Sequence, residues 1–455
     1  MLPAADLLNK YNTPVPRYTS YPTVPYWNSE IDAPRWEANF RQRFEEANLK
    51  EGISLYIHLP FCESMCTFCG CNKKITTNHT VEKEYVETIV REWEMYLKIM
   101  GHSPIIREIH LGGGTPTFFS AEHLYSLIAS ILEKSKIHAD KNFSLEAHPN
   151  NSTHAHLKEL NRLGFHRISY GIQDNDPVVQ RLINRIQPFE NVIQATRMAR
   201  DSGYESINFD LIYGLPLQSM ESIRQTFEQC VALMPERLAF YSYAHVPWTS
   251  RGQRLFDETQ LPGPVQKNQL YALGKKILLE HGYQDIGMDH FALKVDDLYR
   301  AWKDGTLSRN FMGYTAHFTS VMLGLGVSAI SDIGTAYIQN VKSLREYYTA
   351  VHNGNIPIER GYWLSSEDQQ FRKHIQDVSC RGETHFNMTY KDSLEAFTFP
   401  ELRRLETDGL LECDGESLRV STVGRNFIRN ICRAFDLHLL RGQASTTNNI
   451  YSKAI

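Results

Sequence analysis

Half of the eight cysteines fall within ten residues, as Cys62, Cys66, Cys69 and Cys71, while Cys230, Cys380, Cys413 and Cys432 stand singly. A disulfide framework spreads its cysteines so that bridges close loops. This crowding therefore points to a metal centre in a reducing compartment. In Cys62-Glu63-Ser64-Met65-Cys66-Thr67-Phe68-Cys69, three residues separate the first pair and two the second. A loop of that length can fold three thiolates round one cubic iron–sulfur cluster, a group normally held by four cysteines. Three leave one iron open to a small molecule. Cys71 could complete a set of four, although its short span from Cys69 makes a separate iron hard to reach. A four-cysteine zinc site is the other reading, but zinc ligands usually come as two separated pairs. A second feature is Gly112-Gly113-Gly114-Thr115-Pro116. Three glycines let backbone approach a ligand closely. Their spacing is not that of a dinucleotide-binding fingerprint.

Both features sit at the ends of strand-like segments. Candidate strands are 53–59, 105–111, 142–148, 166–173, 206–213 and 238–245, with amphipathic helices between them. Thr80 and Ser120 stand at helix starts as caps, and Gly164, Gly203 and Gly282 at helix ends. Such repetition implies parallel strands joined by helical crossovers. The strands alternate: Ile53, Leu55, Ile57 and Leu59 share one face, and Ser54, Tyr56 and His58 the other. Phe143 and Leu145 oppose Ser144 and Glu146; Ile207, Phe209 and Leu211 oppose Asn208 and Asp210. One face is thus apolar, to pack on helices, and one polar, as in a barrel rather than a doubly covered sheet. Tyr56, His58, Glu146, Gln173 and Asp210 fall near C-terminal strand ends, where α/β barrels place their chemistry. The fold expected is a partial (β/α)6 TIM-like barrel over residues 41–350. An extended, proline-rich N-terminal arm (1–40) precedes it and a mainly α-helical C-terminal domain (351–455) follows. The tail after Gly442 is polar and expected to fray.

Composition narrows the partners. The 48 Lys+Arg and 52 Asp+Glu leave a net charge of −4 over 455 residues, against a nucleic-acid partner. The N-terminus lacks the apolar run of a signal peptide. The longest stretch without Asp, Glu, Lys or Arg, from Asn310 to Ser331, is too polar for a membrane span and reads as barrel or cleft wall. A cytoplasmic monomer with no membrane partner is expected. Cys230, among Ile223, Phe227 and Val231, reads as core.

With the three-cysteine run on the first strand and the glycine run on the second, the chain resembles the radical SAM superfamily. Further runs narrow it. They are Pro16-Arg17-Tyr18-Thr19-Ser20-Tyr21-Pro22-Thr23, Gly70-Cys71-Asn72, Asn208 to Pro216, Gly287-Met288-Asp289-His290-Phe291 and Arg429-Asn430-Ile431-Cys432. Together they resemble the oxygen-independent coproporphyrinogen III oxidase family over nearly the whole chain. The resemblance implies that Cys62, Cys66 and Cys69 hold a 4Fe-4S cluster whose open iron binds S-adenosylmethionine. It implies two S-adenosylmethionine molecules. Tyr56, Gly113 and Glu146 match contacts to the first; Phe68, Gly114, Thr115, Gln173, Arg185, Asp210, Ala244 and Ile330 match contacts to the second. The substrate would be a tetrapyrrole with four carboxylates, two of whose propionates become vinyl groups, and an electron donor and acceptor of unknown identity would serve the reaction. Cys71 is not a ligand in that family and is expected to be a small buried residue near the site. The alternative is a haem chaperone that keeps the cysteine motif without oxidase activity. Such relatives usually lack the Pro16–Thr23 and Gly70–Asn72 runs. One departure stands out: Met312 lies where other members carry Gln, and a thioether cannot replace an amide's donors.

Overall fold

The computed structural model describes residues 5–442 and 451–453. The strands of its main sheet, in chain order, are β1 (Ile53–Leu59), β2 (Ile105–Gly113), β3 (Lys136–Ala147), β4 (Phe165–Gln173), β5 (Ser206–Tyr213), β6 (Arg237–Ser242), β7 (Gln284–Gly287), β8 (His290–Ala292), β9 (Met322–Leu325), β10 (Ile330–Asp332), β11 (Ala336–Asn340) and β12 (Ile358–Trp363). They form one twelve-stranded sheet in the order β12-β11-β10-β9-β1-β2-β3-β4-β5-β6-β8-β7. Strands β1 to β6 pair in parallel, as the alternating strand–helix pattern requires. The sheet does not close on itself, so this is the partial barrel expected. One strand is added to it. Fully buried β9, within the uncharged stretch, pairs in parallel with β1. The rest of the sheet is antiparallel. It continues past residue 350 into β12.

The helices used below are α1 (Ala5–Tyr11), α2 (Ala33–Ala47), α3 (Val81–Met100), α4 (Ala121–Glu133), α5 (Pro177–Leu182), α6 (Pro264–Glu280), α7 (Leu344–His352), α8 (Ser366–Arg381) and α9 (Ile428–Arg433). Leu55 and Ile57 of β1, Ile109 and Leu111 of β2, Phe143 and Leu145 of β3 and Ile207 and Phe209 of β5 are fully buried. They share one core with Tyr85, Ile89 and Trp93 of α3 and Leu124, Leu127 and Ile128 of α4. Each such side chain contributes about 1.5–3 kcal/mol. Ser120 caps α4, its hydroxyl accepting from the His123 N–H at 3.2 Å. Thr80 does not cap α3. It is already helical, and both its N–H and hydroxyl donate to Asn78 Oδ1.

The N-terminal arm is more helical than its prolines suggested. Beside α1, helix α2 starts inside it and straddles residue 40, because Pro34 stands in the first turn, where a missing N–H costs nothing. Asp32 caps that turn by accepting from the Arg35 N–H. Trp36, Phe40 and Phe44 of α2 join the barrel core. Leu8, Val15, Tyr18 and Tyr21 instead share a second core with Phe371, Ile375, Phe427 and Phe435. The tail from 443 to 450 lies outside the described residues, while Lys453 bridges to Pro14. Among the described residues no helix is long and apolar enough to cross a membrane.

Buried polar groups lock α3 to the barrel. Glu92 accepts from Tyr347 Oη on α7 (2.6 Å), Asn340 Nδ2 on β11 (2.7 Å) and the Gly326 N–H (2.8 Å). Tyr85 donates to the His58 carbonyl at 2.7 Å and accepts from the Val327 N–H at 3.0 Å. Tyr85→Phe strands both buried backbone groups. It should destabilise the fold by about 1–3 kcal/mol, read as a lower thermal midpoint with the cysteine content unchanged.

Candidate functional site

The loops leaving β1 to β5 enclose a cleft of about 870 Å³. The cysteine loop forms one wall and is held mostly from outside itself. The Thr67 N–H donates to the Ile183 carbonyl at 3.0 Å, and Asn184 Nδ2, just past α5, to the Met65 carbonyl at 2.8 Å. Lys73 Nζ donates to the Cys69 carbonyl at 2.9 Å. Gln253 Nε2 joins two carbonyls, Phe68 at 3.0 Å and Ala244 at 3.1 Å.

The glycine run lets β2 lie against this loop. The Gly114 N–H donates to the Leu59 carbonyl and the Thr115 N–H to the Phe61 carbonyl. A Cβ on Gly114 would stand 2.6 Å from the Pro60 backbone. One on Gly113, at φ +113°, would stand 2.5 Å from the His58 ring. Only glycine fits at either position.

Cys62, Cys66 and Cys69 are free and partly exposed. Cys62 Sγ lies 3.3 Å from Thr115 Oγ1, and Arg185 Nη1 donates to Cys66 Sγ at 3.6 Å. A hydrogen bond from the Cys71 thiol, with help from Lys73, holds the Cys69 thiol down at about 6. Lys73 beside Cys69 favours its thiolate, the form that binds iron. Among the described residues no three His, Cys, Asp or Glu side chains converge as a single ion needs. Three thiols on one loop suit a cubane with one iron left open. Cys71 is exposed rather than buried. The chain turns outward after Cys69, and Cys71 reaches only the rim of the cleft.

The opposite wall carries two carboxylates in contrasting states. Glu146 accepts from the Gly113 N–H at 3.1 Å and faces His110 Nε2 at 3.5 Å. Burial pushes its carboxyl up, but His110 and that N–H outweigh burial and hold it below the usual range. Asp210 accepts from Ser169 Oγ at 2.7 Å and Asn208 Nδ2 at 2.9 Å, yet burial pushes it up to about 6. One carboxylate therefore stays anionic while its neighbour can be neutral near pH 6. Gln173 closes β4 at φ +66°, a strained position typical of a ligand clamp. Arg185 is no solvated helix charge. Its Nη2 donates to the Gly171 carbonyl at 2.6 Å, and its buried Nε has no partner among the described residues.

Phe68, Gly113, Gly114, Thr115, Glu146, Gln173, Arg185 and Asp210 thus join the three cysteines on the cleft. Tyr56 lies just behind, its Oη 3.0 Å from His58 Nδ1 and its ring stacked on His110. Ala244 is tied to Phe68 through Gln253. Ile330 is not on the cleft wall; β10 lies beyond β9, and Ile330 packs in the cluster of Trp27 and Tyr337. Sequence reasoning passed over His110, Lys73 and His148. The alternation of Glu108, His110 and Gly112 against Ile109 and Leu111 would have exposed His110. Nothing local marked His148, which burial and Arg185 keep neutral by pushing it down to about 2.

Asp210 generates a pH prediction. Its raised folded value favours the neutral form, so that stability is present below about pH 4 and lost as pH rises through about 6. Asparagine can keep both hydrogen bonds. Asp210→Asn should therefore melt higher than the parent chain above pH 7 and alike below pH 4, measured on cluster-free protein by calorimetry.

Comparison with known proteins agrees with this geometry. Residues 56–230, which hold the cysteine loop and both carboxylates, match the model of the Radical SAM superfamily. The oxygen-independent coproporphyrinogen III oxidase of Pseudomonas aeruginosa is 37% identical, covering 96% of each chain. That of Escherichia coli K12 is 37% identical, covering 95% of each. The solved structure of the Escherichia coli coproporphyrinogen III oxidase, described as a radical SAM enzyme, superposes with a TM-score of 0.89 at 35% identity, covering 96% of this chain and all of that one. Likeness of this extent takes in the arm and the C-terminal region as well as the barrel, and the chain belongs to the family of oxygen-independent coproporphyrinogen III oxidases.

Proposed function

We propose that the chain carries out the anaerobic oxidative decarboxylation of two propionate side chains of coproporphyrinogen III, giving the vinyl groups of protoporphyrinogen IX. The observation that carries this is the meeting of three cysteine thiols with anionic Glu146 and switchable Asp210 on one cleft. A 4Fe-4S cluster held by Cys62, Cys66 and Cys69, with S-adenosylmethionine on its open iron, would supply a 5′-deoxyadenosyl radical that takes a hydrogen from the propionate. The carboxylate leaves as carbon dioxide, and an external acceptor removes the remaining electron.

The chain's own residues bind and orient. Glu146, kept anionic by His110 and the Gly113 N–H, suits the ammonium or ribose hydroxyls of a first S-adenosylmethionine beside Tyr56 and Gly113. A second molecule would lie along Phe68, Gly114, Thr115, Gln173, Arg185 and Asp210, towards Ala244 and away from Ile330. The partnerless Nε of Arg185 supports a carboxylate there. Met312 lines a lumen cavity together with Glu146 and Asp210, so the exchanged amide would have faced bound ligand. The protein acts as a cytoplasmic monomer, with an electron donor and an acceptor supplied from outside and neither nucleic acid nor membrane as partner.

Reconstituted protein should convert coproporphyrinogen III under anaerobic, reducing conditions with carbon dioxide release. Cleavage of S-adenosylmethionine without protoporphyrinogen IX would overturn the assignment and favour a haem carrier. Cys69→Ala should lose iron and sulfide, whereas Cys71→Ala should keep both. Glu146→Gln removes one charged hydrogen-bond acceptor, and should weaken S-adenosylmethionine binding about tenfold to hundredfold by equilibrium titration.

A further inference from the structure

His148 follows β3 directly and lines the cleft along with Arg185. The chain fixes its backbone on both sides. Its N–H donates to Thr117 Oγ1, just past the glycine run, at 3.4 Å. Its carbonyl accepts from the N–H groups of Asn151 at 3.0 Å and Ser152 at 3.1 Å, and from Ser152 Oγ at 3.0 Å. The same turn is tied to the segment that carries Arg185, because Asn150 Nδ2 donates to the Ile186 carbonyl at 2.9 Å. A residue held this closely presents its side chain to the cleft as a fixed group.

One ring nitrogen of His148 is left for a ligand. Nδ1 accepts the Asn150 N–H at 3.1 Å. A neutral imidazole whose Nδ1 accepts carries its proton on Nε2. Burial and the nearby Arg185 keep this ring neutral. Nε2 is therefore a donor, and it has no hydrogen-bond partner among the described residues. The ring is half-buried at the cleft wall, where a bound acceptor can satisfy it.

Arg185 indicates which acceptor. Its Nη2 donates to the Gly171 carbonyl at 2.6 Å and its Nη1 to Cys66 Sγ at 3.6 Å, and it pairs with no carboxylate among the described residues. A guanidinium stays charged at any working pH. A neutral N–H donor close to such a cation favours an anionic acceptor over a hydroxyl or a ring nitrogen. We propose that His148 is a further binding residue of the cleft, its Nε2–H holding a ligand carboxylate together with the charge of Arg185. Two carboxylates come to this cleft in the reaction proposed above, on which the assignment rests: the methionyl carboxylate of the second S-adenosylmethionine and a propionate of the substrate. Because the ring is neutral, it directs a hydrogen bond without adding charge beside Arg185.

The test compares full-length reconstituted protein with His148→Leu, which removes the donor, and His148→Gln, whose amide restores one. S-adenosylmethionine is titrated by equilibrium dialysis, and coproporphyrin III, the oxidised tetracarboxylate, by fluorescence. His148→Leu should weaken one of the two ligands about tenfold to hundredfold, and His148→Gln should return it to within about threefold of the parent. Loss confined to S-adenosylmethionine names the methionyl carboxylate; loss confined to coproporphyrin names a propionate. Unchanged affinity for both in folded His148→Leu overturns the contact. So does weakening of both together, or a loss that His148→Gln does not recover, since either marks a structural role. Should His148→Leu fail to fold by circular dichroism, His148→Phe, which fills the ring's space without a donor, takes its place. Parent protein that cleaves S-adenosylmethionine without product overturns the functional reading instead. A recoverable loss of S-adenosylmethionine affinity in His148→Leu would even then support the contact.

Discussion

The close approach of two backbones holds the site together. The chain leaving β1 carries the cysteines, and the end of β2 carries the glycines; they touch at Pro60 and Gly114 and at His58 and Gly113. Any side chain at those glycines would push the two apart. Because they touch, the Gly113 N–H reaches Glu146 on the next strand, and Thr115 reaches Cys62. A metal-ligating loop and a ligand-binding carboxylate, far apart in the chain, so become opposite walls of one cleft.

Charge is then distributed by what surrounds each group. Glu146 and Asp210 are both half-buried carboxylates lining the same cleft. One has a histidine and a backbone N–H, the other a hydroxyl and an amide, and this difference separates their protonation. Arg185 and Lys73 bring positive charge to the thiols without entering the sheet, one from the end of α5 and one from the loop itself. The larger concentration of arginine lies in a separate cavity, where the arm and the C-terminal helices close on the β7–β8 turn.

The flanks are therefore part of the working structure. Leu8 to Tyr21 have no core of their own and bury their apolar side chains against α8, α9 and the residues after them. This packing brings Arg17 and Arg429 to the barrel edge from opposite ends of the chain.

Much of this was legible in the sequence, because spacing along one strand or one loop is a local property. Period-two alternation identified the lumen face, since successive side chains of a strand must point to opposite sides. The crowding of cysteines limited them to a metal role. The glycines marked where backbone must approach something closely, and Pro34 was misjudged only because position, not type, decides whether proline starts a helix. What strand β9 pairs with, that Cys71 turns outward, that Arg185 and His148 face the cleft, and that Arg17, Arg309 and Arg429 share a cavity depended on tertiary contacts. These are meetings of residues distant in the chain, and no local pattern encodes a distance that only the packed sheet and its flanking helices set.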